Sequence, residues 1–279
     1  MIRWAVRGLI GLIVLAAVGI GAIYLLSERE LHRVWPAKAS TLRVVSTADL
    51  IAQGDRLATV MGCRDCHGAD LTGRLFFNDP AIARMWGPNI TRLAPNYSDA
   101  QLDVLLRQGV RPNGQGIMLM PSSTFATLDD HEISALIAFV RSKAPAGEAR
   151  PAPRYSLIAR LGLLIGQFAN EPTIIAKESG HGLPDFGPEF AQGRSLARAC
   201  TECHGGDLTG TTQAAAPDLL IGASYSLDEL KVLLRTGVAN SGKRLGLMSD
   251  SAPRRFNVWT DAQIEALHDY LVKRAEMAP

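Results

Sequence analysis

All four cysteines of this 279-residue chain lie in two copies of one short motif, Cys-x-x-Cys-His. The copies span residues 63–67 and 200–204, and a Gly-x-Asp-Leu-Thr-Gly segment follows each. Two thiols at this spacing can bond to the vinyl groups of a haem edge, and the adjacent histidine is then carried beneath the iron as a ligand. The pattern predicts two covalently bound haem c groups. The predicted attachment residues are Cys63, Cys66, Cys200 and Cys203, and the predicted proximal ligands are His67 and His204.

Two other chemistries use cysteine and histidine at short spacing. A zinc site would have to collect four ligands across the long stretch between the motifs, and it would leave the adjacent histidines unexplained. A redox dithiol is not usually followed by histidine in both copies. Haem attachment accounts for more of the pattern than a zinc site or a redox dithiol does.

The N-terminus predicts a membrane anchor. Arg3 and Arg7 precede an uncharged apolar run from Gly8 to Leu26, which as a helix would extend about 28 Å, close to the thickness of a bilayer's hydrocarbon core. A cleaved signal peptide is the alternative, but the run continues into Ser27-Glu28, which is a poor cleavage site. Because the arginines should stay in the cytoplasm, we expect the rest of the chain on the periplasmic side of a bacterial inner membrane.

Charge and length limit the remaining possibilities. The length suits two domains. The net charge is only +2 at pH 7, and the positive surplus lies in residues 1–43. Both later parts of the chain are mildly acidic, so the charge balance gives no support to nucleic-acid binding.

A second repeat follows each motif and predicts matching helices. Residues 97–102 resemble residues 225–230, and leucines at helical spacing come next in both. Gly109 and Gly237 then suit a left-handed helix end. The predicted capping boxes pair Ser98 with Gln101, Ser226 with Glu229 and, before the last helix, Thr260 with Gln263.

These elements divide the chain into four parts. A short helix is expected before each motif, over about residues 50–62 and 189–199, and no β-hairpin signal interrupts the helices, which predicts an all-α fold. Each domain has about 95 residues and therefore a small core, which a largely apolar haem would complete. The predicted parts are an anchor at 1–30, domains at 46–144 and 185–279, and a Pro-rich linker at 145–184.

The combined pattern resembles the class I cytochrome c fold over both predicted domains. The resemblance implies that the helix before each motif crosses the last helix, with glycine against an aromatic ring: Gly54 with Phe139, and Gly193 with Tyr270. It also implies haem attachment outside the cytoplasm, in agreement with the predicted topology. The chain is therefore interpreted as a dihaem c-type cytochrome with two tandem domains and a transmembrane helix.

The resemblance further implies a methionine as the second axial ligand of each iron. Residues 105–110 align without gaps on residues 233–238, and carrying that alignment forward places Met120 on Met248. We therefore predict these two methionines as axial ligands.

In the same family, the carbonyl of a downstream proline accepts a hydrogen bond from the ligating histidine. Pro88 and Pro217 are the matching candidates, although both could simply shape their loops. His32, His131, His181 and His268 do not recur at equivalent positions and are interpreted as ordinary side chains, with His181 placed where a flexible linker could bring it to a haem.

Three segments differ between the copies or lie outside them. The first copy has eight extra residues before Pro88, including apolar residues 75–77 and 85–86, which could shield a haem edge or dock a partner. Around its methionine, the second copy has Lys243-Arg244 and Arg254-Arg255, which could steer an acidic partner or simply be solvated. An apolar patch at 154–168 could lie on the membrane surface or cover the domain junction.

The predicted function is single-electron transfer rather than enzymatic catalysis. With histidine and methionine on both irons, neither has an open position for a substrate, and methionine ligation tends to raise the potential. The expected partners are redox proteins of a respiratory chain, met either by a free carrier or by a subunit of a dehydrogenase or oxidase complex. The alternative is a dihaem peroxidase, which would need one iron without a strong sixth ligand.

Overall fold

The computed structural model of the chain describes residues 2–178, 182–212 and 214–278, so His181 lies outside the described residues. The first helices are α1 (Ile2–Leu31), α2 (Ala48–Val60), α3 (Cys63–His67), α4 (Ile90–Leu93), α5 (Asp99–Gln108), α6 (Ser122–Phe125) and α7 (Asp130–Arg141). The later helices are α8 (Leu157–Leu164), α9 (Glu171–Glu178), α10 (Ala191–Ala197), α11 (Thr201–His204), α12 (Leu227–Thr236), α13 (Leu247–Arg255) and α14 (Asp261–Glu276). Three short strands are β1 (Leu75–Asp79), β2 (Ala83–Trp86) and β3 (Arg154–Tyr155).

The N-terminal apolar run forms one continuous helix. α1 contains 30 residues and is long and apolar enough to cross a membrane. Its apolar side chains, such as Leu9 and Leu15, point away from the rest of the protein and stay exposed. An exposed apolar surface of this extent is unfavourable in water and suits a lipid environment.

Each half of the chain contains one close helix crossing, and the two crossings are packed in the same way. α2 crosses α7, and a Cβ on Gly54 would lie 1.9 Å from a backbone carbonyl oxygen of α7 and 2.7 Å from Cβ of Phe139. α10 crosses α14, where a Cβ on Gly193 would lie 2.1 Å from a backbone carbonyl oxygen and 2.6 Å from Cβ of Tyr270. Only glycine permits backbones to approach this closely. The predicted glycine–aromatic contacts are therefore present in both halves.

The predicted helix ends are confirmed. Capping boxes are present at the starts of α5, α12 and α14, and a further box of Asp129 with Glu132 starts α7. α5 and α12 both end at a left-handed glycine, Gly109 with φ of 65° and Gly237 with φ of 74°. These local signals act within a few residues, which is why the sequence predicts them well.

The all-α prediction is wrong for the segment between the first motif and Pro88. There, β1 and β2 form an antiparallel hairpin, with a bulge between Leu75 and Phe77, and β3 from the linker pairs with β2. The hairpin turn contains no Asn-Gly or Gly-Gly signal. Instead, the Asp79 carboxylate accepts a hydrogen bond from the Ala81 N–H at 2.9 Å and holds the turn. The apolar residues of this loop therefore build a sheet.

Residues 154–178 of the predicted linker form a strand and two helices that contact the rest of the chain. α8 packs against the C-terminal end of α1, where Arg160 donates to Ser27 Oγ at 2.9 Å and to Glu28 Oε2 at 2.8 Å. The guanidinium also lies 4.6 Å from the centre of the Tyr24 ring. α9 packs against α5 and α6. The apolar patch thus lies beside α1.

The two halves share one hydrophobic core. Buried side chains of both, among them Phe139 and Tyr270, belong to a single contiguous cluster. Polar contacts also cross the junction: Arg56 donates to the Val258 carbonyl at 2.8 Å, and Arg198 donates to the Thr127 carbonyl at 3.1 Å. The site motifs are therefore held in a fixed arrangement relative to each other.

Candidate functional site

The first motif forms a helical turn directly after α2. Gly62, with φ of 69°, reverses the chain and leads into α3, which is the motif itself. The His67 ring is buried, and its Nδ1 lies 2.9 Å from the Pro88 carbonyl oxygen. Because the carbonyl accepts the Nδ1 proton, Nε2 is the nitrogen left with a lone pair for a metal ion. A Cβ on Gly87 would lie 2.0 Å from the Cys66 carbonyl, so the Pro88 loop can approach the motif only with glycine there.

The second motif holds its histidine in the same way, but the chain enters it differently. A short 3₁₀ turn, Arg198–Cys200, leads into α11, in place of the left-handed Gly62. His204 is buried, and its Nδ1 lies 2.8 Å from the Pro217 carbonyl oxygen. Both histidines are thus oriented by a backbone acceptor, and both present Nε2 as the free nitrogen.

The repeated Gly-x-Asp-Leu-Thr-Gly segment is a tight turn that closes over each histidine. Leu71 and Leu208 adopt a left-handed backbone conformation, with φ of 63° and 65°, and both side chains are fully buried. Leucine rarely takes this conformation, so burial of its side chain must hold it there. Gly73 N–H donates to the carbonyl of the first motif's histidine at 2.7 Å, and Gly210 N–H donates to that of the second at 2.8 Å.

Burial sets the protonation state of the motif side chains. It lowers the pKa of His67 and of His204, which keeps both imidazoles neutral, as a metal ligand must be. Burial raises the pKa of Cys63 to about 12 and that of Cys66 to about 11. In the second motif, burial raises the pKa of Cys200 to about 12. Redox dithiols depend on a lowered thiol pKa, so this environment disfavours the dithiol alternative.

The zinc alternative also lacks a geometric basis. Among the residues that the structure describes, no group of three or more His, Cys, Asp or Glu side chains is placed to hold a metal ion. Within the described part of the chain, the two motifs are therefore not brought together around one metal position.

The two candidate methionines lie in comparable surroundings. Met120 comes just before α6, and Met248 is the second residue of α13. Both side chains are partly buried and pack against the core. A residue with positive φ precedes each of them closely, Leu119 at 68° and Gly246 at 56°.

One site residue is placed differently from its prediction. The side chain of Arg255, interpreted as a surface cation, is buried and paired with Asp65 and Glu202. Lys243, Arg244 and Arg254 are exposed, as expected. A signal was present in the sequence, since each motif carries an acidic residue at its third position. The sequence did not indicate that both acids face α13.

The residues present fit haem c. Each half offers a pair of thiols at vinyl spacing, a neutral histidine with Nε2 free, and a partly buried methionine on a downstream segment. Soft thioether and imidazole donors are those that haem iron takes in electron-transfer proteins.

Comparison with known proteins identifies one part of the chain. Residues 51–144 match the cytochrome c family. No curated protein matches the chain.

Proposed function

Because residues 51–144 form a cytochrome c domain, we propose that the chain is a membrane-anchored dihaem c-type cytochrome that transfers single electrons on the periplasmic side. In this proposal, residues 46–144 and 185–279 are tandem class I domains. Residues 145–184 join them, and residues 1–30 form the transmembrane anchor.

The main support for the proposal is that the second half repeats the surroundings of the first motif as well as the motif itself. The second half lies outside the family match, yet it repeats the histidine–proline hydrogen bond, 2.8 Å in place of 2.9 Å. It also repeats the left-handed leucine, Leu208 for Leu71, and the glycine–aromatic crossing of its first and last helices. A Cys-x-x-Cys-His motif that arose by chance would lack the same hydrogen bond, leucine conformation and helix crossing around it.

The proposed roles follow from the residue chemistry. When bound, each haem supplies an iron that takes up and releases one electron. Pro88 and Pro217 hold the histidine rings in one orientation through their carbonyl oxygens. The proposed covalent links are Cys63 and Cys66 for one haem and Cys200 and Cys203 for the other, and the proposed axial pairs are His67 with Met120 and His204 with Met248.

The proposed membrane position is supported by α1 and α8 together. α8 packs on the outer end of α1 and exposes apolar residues, with Ile158 65% exposed and Ile165 64% exposed. Apolar side chains beside the end of a transmembrane helix suit the interfacial layer of a bilayer. We expect α8 to lie at the interface between the membrane and the periplasm, next to the transmembrane anchor.

The expected partners are redox proteins or a membrane oxidoreductase complex. Electron transfer by an anchored protein needs a donor and an acceptor on the same side of the membrane. A free carrier and a permanent electron-transfer subunit of a respiratory complex would use the same two sites.

Optical spectroscopy tests whether the haems carry electrons or react with substrates. Full-length protein is compared in the ferric and ferrous states, with and without carbon monoxide. The proposal predicts methionine-ligated spectra that carbon monoxide leaves unchanged. Met120→Ala and Met248→Ala should each make one haem bind carbon monoxide, whereas Met61→Ala, at a buried position outside the site, should not. A wild-type haem that binds carbon monoxide readily would contradict the proposal and favour the peroxidase alternative.

A further inference from the structure

A buried arginine joins the two attachment motifs. Arg255 is the last residue of α13, and its side chain is only 10% exposed. Its Nε donates to Asp65 Oδ2 at 2.7 Å, and its Nη1 donates to Glu202 Oε2 at 2.5 Å. These acids occupy the third position of the motifs at 63–67 and 200–204. One guanidinium therefore bridges both motifs.

The guanidinium also lies close to the motif backbone. A Cβ on Gly62, the residue before the first cysteine, would lie 2.2 Å from an Arg255 nitrogen. On its other side, Arg255 Nη1 reaches Glu202 of the second motif. The guanidinium therefore lies against the chain at both attachment motifs.

The three side chains form a cluster whose charges depend on one another. Burial opposes the charge of Arg255, but Glu202 and Asp65 outweigh this effect and raise its pKa, so the guanidinium stays protonated. Buried ions are tolerated only when they are paired, and removing one partner leaves the others uncompensated. Arg255 pairs with both carboxylates, and the exposed Arg254 also lies 3.3 Å from Asp65. Loss of Arg255 would therefore leave a net negative charge between the motifs.

We propose that Arg255, Asp65 and Glu202 form a shared charge cluster that sets the reduction potentials of both haems, an inference that rests on the proposed dihaem function. Reduction adds one electron to a haem, so nearby positive charge favours the reduced form and nearby negative charge favours the oxidised form. The cluster is partly buried, with side-chain exposures of 10% for Arg255, 21% for Asp65 and 28% for Glu202, so solvent screens it less than it screens fully exposed charges. Because the cluster touches both motifs, a change in one of its charges shifts both potentials in the same direction.

Redox titration of the full-length protein in detergent tests this inference, with both midpoint potentials read from the haem absorption bands. Arg255→Gln removes the cation and should lower both potentials. Glu202→Gln removes a carboxylate and should raise both. Arg235→Gln is the matched control, because it removes the same charge from a side chain that is 39% exposed and pairs with Asp261 instead of with the cluster. Solvent screening should leave both potentials of this control close to those of the wild type.

The two variants should shift the potentials in opposite directions, which distinguishes an effect of charge from an effect of weakened packing between the two motifs. Loosening would expose the haems in Arg255→Gln and Glu202→Gln alike and would shift the potentials in one common direction. Arg255→Lys retains the charge and should return both potentials toward the wild-type values, which also covers the case in which Arg255→Gln folds poorly. Shifts of equal sign in the two variants, or shifts confined to one haem, would overturn the inference.

Haem content distinguishes failure of this inference from failure of the proposed function. A wild-type chain that carries one haem would overturn the dihaem proposal and this inference together. Two haems whose potentials do not respond to Arg255→Gln would overturn the inference alone.

Discussion

Glu171, at the start of α9, gives a pH-dependent stability that can be worked out from its surroundings. Its side chain is buried, with the residue 4% exposed, and its Oε2 accepts a hydrogen bond from the Ser123 N–H at 3.1 Å. Burial raises the pKa of this carboxyl from 4.5 to about 7. The folded state therefore holds this proton more tightly than the unfolded state does.

The sign of the effect follows from that difference. Below pH 4.5 the carboxyl is protonated in both states and contributes nothing. Between pH 4.5 and about pH 7 the unfolded chain loses the proton while the folded chain keeps it, so stability falls as pH rises. Each pKa unit corresponds to about 1.4 kcal/mol, and the total loss above pH 7 is about 3 kcal/mol.

Glu171→Gln should remove this penalty, because glutamine is neutral and its carbonyl oxygen can still accept from Ser123. The free energy of unfolding is measured by urea titration of the holoprotein at pH 5 and at pH 8. The variant should be more stable than the wild type by only about 1 kcal/mol at pH 5 and by about 3 kcal/mol at pH 8. Glu265→Gln, on the exposed face of α14, is the control and should show no such pH-dependent gain. A difference between Glu171→Gln and the wild type that does not grow with pH would refute the reasoning.

Further predictions concern the helix crossings and the linker. Gly54→Ala and Gly193→Ala should each lower the free energy of unfolding by about 1–3 kcal/mol through overpacking. Gly182→Ala is the control and should be neutral, because its Cβ would meet nothing within 4 Å. Equal thermal stability of all three variants would contradict the crossing geometry. A nitroxide attached at position 165 in nanodisc-embedded protein should be shielded from a water-soluble quencher, and one at the exposed position 241 should not; equal quenching would place α8 away from the membrane. Arg160→Ala should increase proteolytic cleavage near α8, since it removes the contacts with Ser27 and Glu28; an unchanged digestion pattern would show that those contacts do not hold the linker.

The features that the sequence predicted are those decided by neighbouring residues or by repetition. The capping boxes at Ser98 and Ser226 depend on residues three positions apart, and both formed. The glycine–aromatic crossings, one in each half, were implied by the resemblance to class I cytochromes c, and the repeat supplied a candidate pair in each half.

The features that the sequence did not predict depend on tertiary contacts. The β1–β2 hairpin uses the Asp79 side chain in place of a glycine turn, and β3 joins it from beyond α7. Arg255 became a buried bridge because α13 packs where the two motifs meet, a relation between distant segments that no local pattern encodes. The sequence predicts a Pro-rich linker whose apolar patch has two possible placements, and the contact of Arg160 with α1 depends on tertiary structure that the sequence does not show.

The central claim is that each half of the chain carries its own haem. Intact mass spectrometry under denaturing conditions tests it directly, because thioether-linked haem stays on the chain. We predict a wild-type mass equal to the mature chain plus two haems. The double variants Cys63→Ser/Cys66→Ser and Cys200→Ser/Cys203→Ser should each retain one haem, and a wild-type chain with a single haem would contradict the account.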